Sequence, residues 1–251
     1  MSPLTKTKIG FIGSSAPSSP HHDSFRALIP KEIDFTFVQE AGGDTSRDDD
    51  PGKLDALVKQ TTKLVAQNGW NGVIVSGAPK EVFNPTMSHQ LTSALNIPVA
   101  TAIRSSIAAL KAFSARRILL MTPVDDELKK MYRDFLADFG IAAVYPPQTL
   151  AKRTDAVKLT GADVESMTKK TFAEYAGVDA IYFQGALLDP LKVLEKLETE
   201  LQVPIVASNP AMLWFVLSKL GLRYEISGYG RLLSSWPSLA DSITANRSLI
   251  L

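Results

Sequence analysis

Two stretches of this chain follow the same plan about a hundred residues apart. In each, an apolar run of strand length ends in a turn of small residues that leads into a helix. The first stretch spans Gly72 to Phe83, and the second spans Ala180 to Leu188. Parallel α/β sheets bind ligands beyond the carboxyl ends of their strands, where such turns lie. The repetition therefore predicts two related half-sites that face each other.

Strand-like and helix-like segments alternate along the whole chain, which predicts parallel sheets covered by helices on both faces. We predict an α/β protein of two pseudo-symmetric Rossmann-like halves, residues 1–115 and 116–251, with the active-site cleft between them. Each half is expected to hold a four-stranded parallel sheet, and the C-terminal tail to pack back on the first half. The predicted strands are 8–13, 33–38, 72–75, 98–100, 116–122, 141–145, 179–183 and 204–207. The predicted helices include 80–95, 107–113, 125–139, 161–175 and 190–201.

The composition excludes several classes of function. The formal charge of +1 is spread through the chain, which argues against nucleic acid or an anionic membrane as a partner. No apolar run approaches the ~20 residues of a membrane span, and no signal peptide is recognisable, so a cytoplasmic protein is expected. The absence of cysteine excludes disulfides, thiolate metal sites and a cysteine catalyst. Neither a metal-ligand spacing nor a dinucleotide or phosphate-loop motif occurs, so no metal and no cofactor is predicted.

Several segments resemble the aspartate/glutamate racemase superfamily, and within it the branch of arylmalonate decarboxylase and maleate isomerase. The resemblance covers nearly the whole chain. It is most specific at residues 203–214, 228–233 and 117–123, and at the two small-residue turns. It implies a two-domain α/β enzyme that acts on a small carboxylate or carbonyl substrate, and it implies self-association.

The resemblance also implies cysteines in the two turns, and this chain has none. Racemases use both thiols as opposed acid and base, the isomerase uses one as a nucleophile, and the decarboxylase keeps only the second, as a proton donor. Here the first position falls on Ser76, and the second on Gly185, or on Gln184 if the alignment shifts by one residue. The family tyrosine that follows a Thr-Pro pair is replaced by Val124. Racemisation by two thiols is therefore excluded.

The backbone of both turns is the main candidate for binding negative charge. We expect the N–H groups of Ser76, Gly77 and Ala78, and those of Gly185 and Ala186, to point into the cleft. N–H groups at strand ends and helix starts bind carboxylates or a developing enolate without a special side chain. Similar turns also occur in α/β proteins that bind nothing there.

Other candidate substrate-binding residues follow the strands. Ser14 and Ser15 follow the first predicted strand, and Ser208 and Asn209 follow the last, although capping and turn formation would equally explain them. Arg104 lies after the fourth strand, where a guanidinium is suited to bidentate binding of a carboxylate. An exposed arginine paired with a nearby acid is the alternative.

The candidate acid–base groups are few. His21 and His22 lie in the loop after the first strand, within reach of the cleft, and histidine is the usual proton carrier near neutral pH. A mobile surface loop is the alternative for both. Lys80 and Glu81 follow the first turn, where charges are usually solvated partners of the helix dipole.

The sequence thus predicts a cysteine-independent enzyme of lyase or isomerase type that works through an enolate-like state. Decarboxylation, elimination or cyclisation is favoured over racemisation, with Ser76, His21 or His22 as candidate catalytic residues. The alternative is a protein that binds a carboxylate without changing it.

Overall fold

Two four-stranded parallel sheets form the framework of the computed structural model, which describes residues 6–41, 51–146 and 153–239. The first sheet has the order β2-β1-β3-β4, and the second has the equivalent order β6-β5-β7-β8. This confirms the predicted fold class. The strands are β1 (Thr7–Gly13), β2 (Ile33–Gln39), β3 (Gly72–Val75), β4 (Val99–Thr101), β5 (Arg117–Met121), β6 (Ala142–Val144), β7 (Ala180–Phe183) and β8 (Ile205–Ala207).

Helices connect the strands, as the parallel order requires. They are α1 (Asp23–Arg26), α2 (Pro51–Asn68), α3 (Ala78–Phe83), α4 (Met87–Ala94), α5 (Ala102–Ala112), α6 (Asp126–Asp138), α7 (Arg153–Ala156), α8 (Gly161–Glu174), α9 (Leu194–Leu201), α10 (Ser208–Lys219) and α11 (Arg231–Ser235), with a short 3-10 helix at Pro20–His22. In the described ranges, no helix combines the length and the apolar character that crossing a membrane requires.

The inner strands β3 and β7 are buried on both faces. Such continuous apolar runs are typical of parallel sheets covered on two sides. Phe11 pairs with Ile74 in the first sheet, and Leu120 pairs with Tyr182 in the second. The turns that follow β3 and β7 therefore leave the two sheets at equivalent carboxyl edges, which sets the position of the site.

Helix α10 joins the two halves, because it follows β8 but packs against α5 and the first sheet. A Cβ at Gly72 in β3 would lie 2.9 Å from the side chain of Val216 in α10. Residues 210–217 of this helix are buried throughout, as expected of a helix surrounded by protein. One hydrophobic core therefore spans both sheets.

Three predicted helices have wrong boundaries. The helix predicted at 107–113 begins five residues earlier, at Ala102, directly after β4. The helix predicted at 80–95 is interrupted between α3 and α4, because Pro85 lacks an N–H donor and disfavours helical backbone at the preceding Asn84, whose φ is −125° and ψ 77°. The helix predicted at 190–201 begins only at Leu194. Before it, the N–H of Val193 donates to the carbonyl of Pro190 at 2.9 Å and closes a turn.

Candidate active site

A central cavity of about 330 Å³ lies between the carboxyl edges of the two sheets. All the predicted site residues except Arg104 line it; their roles in binding or catalysis stay predictions. The lining residues are Phe11, Ser14, Ser15, His21, His22, Phe25, Ser76, Gly77, Ala78, Pro79, Ala102, Pro123, Val124, Tyr132, Gln184, Gly185, Ala186, Leu187, Ser208, Asn209 and Met212. No Asp, Glu, Lys or Arg of the described residues is among them, and His21 and His22 supply the imidazole groups of the lining.

The first turn presents two backbone donors to the central cavity. Gly77 is the N-cap of α3 with a φ of +106°, and Ala78 is the first residue of that helix. N–H groups at these positions have no acceptor within the helix. The N–H of Ser76, in contrast, donates to the carbonyl of Ile12 at 2.9 Å and so continues the sheet. The expectation that the Ser76 N–H is free to bind an anion is therefore wrong, whereas the N–H groups of Gly77 and Ala78 have no acceptor among the described residues.

The second turn is also partly occupied by internal hydrogen bonds. The N–H of Gly185 donates to the hydroxyl of Ser208 at 3.2 Å, so its expected role as a free donor is wrong as well. Gly185 has a φ of +87°, and a Cβ built on it would meet no atom within 4 Å. Within the described chain, the N–H of Ala186 has no acceptor. This turn therefore offers one backbone donor beside open space where the resemblance places a thiol.

Gln184 adds a side-chain donor at the second turn. Its Oε1 accepts a hydrogen bond from the hydroxyl of Thr122 at 3.0 Å, and its own N–H extends the sheet to Met121 at 3.0 Å. The Nε2 amide has no acceptor among the residues that the structure describes. Because buried Gln184 lines the central cavity and Thr122 fixes its amide, Nε2 is an oriented donor for a ligand.

His22 is a buried imidazole at the edge of the central cavity. Its ring centroid lies 5.4 Å from that of Phe11 and 4.8 Å from that of Phe37, and its Nε2 lies 3.4 Å from the carbonyl oxygen of Ser15. Burial lowers the pKa of His22, opposed in part by the Ser15 carbonyl. The imidazole is therefore neutral at pH 7. His21, its neighbour, is exposed at the mouth of the cavity.

Arg104 does not lie where the sequence predicted. Its Nε donates to buried Glu81, and its Nη2 donates to the carbonyl of Pro85 at 3.3 Å. Ala102 lines the central cavity, and two residues further along a helix of 3.6 residues per turn a side chain points about 200° away. Arg104 therefore lines a second cavity of about 330 Å³, together with Ser88, Thr92, Ile97, Pro98, Val99, Thr101, Phe215 and Lys219.

The charges after the first turn are buried rather than solvated, contrary to the expectation from sequence. Lys80 pairs with Glu40, and Glu81 pairs with Arg104. Burial raises the pKa of Glu81, while the charge of Arg104 opposes that rise. Neither pair lines the central cavity.

Sequence reasoning did not single out several apolar lining residues. Phe11 on β1, Phe25 on α1, Tyr132 on α6 and Met212 on α10 all belong to buried stripes, which predict core rather than a site. Only the convergence of the four elements makes these side chains a cavity wall. Among the described residues, no group of three or more His, Asp or Glu could hold a metal ion.

The fold and the cavity define a class: a two-halved α/β protein whose paired small-residue turns line a cavity between the two sheets. The family model of arylmalonate decarboxylase matches residues 54–233. The chain belongs to the arylmalonate decarboxylase family.

Individual relatives agree with this assignment. The chain is 25% identical to arylmalonate decarboxylase of Bordetella bronchiseptica over 178 residues, which are 70% of this chain and 73% of that protein. Its fold matches a glycine-to-cysteine variant of arylmalonate decarboxylase in a sulfate-associated form, with a TM-score of 0.76, 20% identity, and coverage of 90% of this chain and 99% of the other.

A third relative is a maleate isomerase. The structure of a cysteine-to-alanine variant of the Pseudomonas putida S16 enzyme with maleate gives a TM-score of 0.72 and 16% identity, covering 91% of this chain and 97% of the other. The family and the Bordetella bronchiseptica relative place the chain among enzymes of decarboxylase type, and the maleate isomerase shares its fold.

Proposed function

We propose that this protein is a cysteine-independent lyase, acting on a carboxylic acid or related carbonyl compound through an enolate-like state. Decarboxylation is the favoured reaction, with elimination or cyclisation as related possibilities, and racemisation is disfavoured. The observation that carries the proposal is the convergence of oriented uncharged donors on one cavity without lysine or arginine among its described lining. These donors are the N–H groups of Gly77, Ala78 and Ala186 and the Nε2 of Gln184.

The donors suit an oxygen on which charge develops. When a carbon–carbon bond to a carboxylate breaks, its electron pair moves into the remaining carboxylate and forms an enediolate. The N–H groups of Gly77 and Ala78 would receive that oxygen, and oriented donors in a dry site stabilise it more than water does. Gln184 would hold the second oxygen of the same group.

The apolar wall favours loss of carbon dioxide. Phe11, Phe25, Val124 and Met212 line the central cavity and cannot solvate a carboxylate held beside them. A carboxylate placed there loses hydration, whereas neutral carbon dioxide does not need it. Decarboxylation therefore requires from this site an anion cradle and an apolar wall, but no strong base.

The reaction consumes one proton, which replaces the lost carboxylate on carbon. The candidate donors at the central cavity are the Ser76 hydroxyl, the two histidines and water. The α-carbon of an enediolate is basic enough to take the proton of the Ser76 hydroxyl. Water then returns a proton to the serine oxygen. His22 is neutral at pH 7, so in this role it would relay a proton rather than hold one in advance.

Turnover of a substrate panel tests the proposal. Aryl- and alkylmalonates, maleate and 2-hydroxy acids are each incubated with the protein, and loss of substrate is followed by NMR. We expect malonates to lose one carboxylate, and Ser76→Ala or His22→Gln to lower kcat. His89→Gln is the matched control, because His89 is an exposed residue of α4 outside the central cavity. The proposal would be wrong if no compound is turned over. It would also be wrong if kcat and KM for every compound that is turned over stay unchanged in both Ser76→Ala and His22→Gln.

The second candidate function is carboxylate binding without reaction. It is favoured by the lack of any thiol in the sequence and of any charged side chain in the described cavity lining. The two functions separate in deuterium oxide, where a binder leaves its ligand unlabelled over hours. Deuterium on the carbon next to the carboxylate would eliminate the pure binder.

A further inference from the structure

A buried ion pair lies behind the first turn, on the side away from the central cavity. Lys80 is 4% exposed and Glu40 is 5% exposed, and the lysine ammonium donates to the Glu40 carboxylate. Glu40 directly follows β2, and its N–H donates to the carbonyl of Gly13 at 2.8 Å, so it is fixed to the end of β1. Burying two charges costs desolvation that the pairing often does not recover. The pair is therefore not expected to add to the stability of the fold, which leaves a role at the adjacent candidate site to explain it.

Lys80 binds the carbonyl groups of both peptides in the turn. Its backbone N–H donates to the carbonyl of Gly77 at 3.1 Å, and its Nζ donates to the carbonyl of Ser76 at 3.4 Å. The lysine stem also packs beneath Gly77, where a Cβ would lie 3.3 Å from Cε of Lys80. Together with the φ of +106°, this contact explains why glycine occupies the position.

The two carbonyl contacts determine where the turn's donors point. In a trans peptide the carbonyl and the N–H point in opposite directions, and the described residues contain no cis peptide. The Ser76 carbonyl faces Lys80, so the Gly77 N–H faces away from it. The Gly77 carbonyl faces the backbone N–H of Lys80, so the Ala78 N–H faces away as well, through a contact that does not depend on the lysine side chain. Gly77 and Ala78 line the central cavity, whereas Lys80 does not.

We propose that Lys80 is a positioning residue, whose side chain aims the Gly77 N–H group at the substrate anion, and that Glu40 holds the Lys80 ammonium in place. The expected effect on kcat rests on the proposed function, whereas the inference itself concerns how the first turn binds an anion. A positioned donor contributes most to the state with the most developed charge. Loss of Lys80 should therefore affect kcat more than KM.

The test compares two variants with phenylmalonate as substrate. The double variant Lys80→Met with Glu40→Gln removes both charges, so no unpaired buried charge remains. We expect it to lower kcat about tenfold or more while KM changes less than about threefold. Lys80→Arg keeps a charged donor and should retain kcat within about threefold of the wild type. Lys129→Met is the matched control: Lys129 is 1% exposed but pairs with Asp126 of its own helix, so kcat should not change.

The outcomes separate this inference from the proposed function. A double variant with a lower unfolding midpoint but unchanged kcat and KM makes Lys80 merely structural and overturns the inference. If the wild type does not turn over phenylmalonate, the affinity for phenylacetate is measured in place of kcat. A fall of about twofold to threefold in that affinity in the double variant, absent from Lys80→Arg, then supports positioning while the proposed reaction fails, and an unchanged affinity overturns both.

A measurement on the wild type covers the case in which the double variant does not fold. The protein is labelled with ¹⁵N-glycine and titrated with phenylacetate to saturation. The Gly77 amide should shift as the ligand binds, while the Gly69 amide, in the loop after α2 and outside the cavity lining, should not. A Gly77 signal that stays in place at saturation overturns the inference.

Discussion

The hydroxyl of Ser208 accepts a hydrogen bond from the N–H of Gly185 at 3.2 Å. Ser208 begins α10 directly after β8, and Gly185 begins the turn after β7, so the contact ties two neighbouring strand ends together. The same hydroxyl lies 3.4 Å from the hydroxyl of Tyr182 and 3.4 Å from the carbonyl of Phe183. The second turn is therefore held by its own protein contacts before any ligand arrives.

Replacement of Ser208 by alanine should loosen this turn. Ser208→Ala removes the acceptor of the Gly185 N–H, and we expect the free energy of unfolding to fall by about 1 kcal/mol, as for loss of one partly buried hydrogen bond. Denaturant unfolding measures the change. Ser105→Ala is the matched control, because the Ser105 hydroxyl is buried in α5 with no partner among the described residues. The control should be neutral or stabilising, and equal losses in both variants would contradict the assigned contact.

Replacement of Arg104 should affect stability but not ligand binding at the central cavity. Arg104→Met leaves the fully buried Glu81 without its charged partner, and we expect a loss of about 3 kcal/mol in the free energy of unfolding. The double variant Arg104→Met with Glu81→Gln should recover part of that loss. Phenylacetate affinity, measured by calorimetry on the folded double variant, should equal that of the wild type. A large drop in phenylacetate affinity would instead indicate that Arg104 contributes to ligand binding at the central cavity.

Stability should depend on the protonation of His22. Its folded-state pKa is lowered from the usual 6.5 by burial, so the unfolded chain binds this proton more readily than the native protein. The contribution is fully present above pH 6.5 and is lost as the pH falls towards the folded-state pKa. His22→Gln should therefore lose less stability than the wild type between pH 7.5 and 5, as followed by unfolding midpoints. His89→Gln should keep the wild-type slope, and identical slopes for all three proteins would refute the burial of a neutral His22.

Single cysteines can map the central cavity, because the sequence contains none. We expect Ser76→Cys and Gly185→Cys to place a thiol in the cavity, the latter into space where a Cβ meets no atom within 4 Å. Phenylacetate at ten times its Kd should slow alkylation of either thiol about tenfold, by mass action. Thr92→Cys, exposed at the second cavity, should label at the same rate with and without ligand. Intact mass measures the rates, and no protection at Ser76→Cys or Gly185→Cys would place the ligand elsewhere.

The strands and the outline of the site could be predicted because their signals are local. An apolar run such as residues 72–75 identifies a buried strand by itself, and the small residues that follow identify the turn. The break at Pro85 had a local signal too, because a proline disfavours helical backbone at the residue before it, and the prediction of one helix at 80–95 did not use that signal. The predicted site residues other than Arg104 lie at one cavity because strand ends of a parallel sheet share an edge.

The hydrogen bonds within the site could not be predicted, since their partners are distant in sequence. Lys80 pairs with Glu40 across 40 positions, and the N–H of Gly185 finds its acceptor 23 positions later in Ser208. Nothing local distinguishes a lysine that is buried in this way from a solvated one. The direction of Arg104 likewise depends on where α5 begins, because a shift of two residues turns a side chain to the other face of the helix.

The most direct test of the central claim uses 2-methyl-2-phenylmalonate in deuterium oxide, because its α-carbon carries no hydrogen. If the cavity decarboxylates through an enediolate without any thiol, the protein should release carbon dioxide and form 2-phenylpropionate with one deuterium on the α-carbon. Proton and carbon NMR follow both changes, with heat-denatured protein as the control. Saturable binding of the malonate, with substrate recovered unchanged and unlabelled after days, would contradict the claim and leave carboxylate binding as the function.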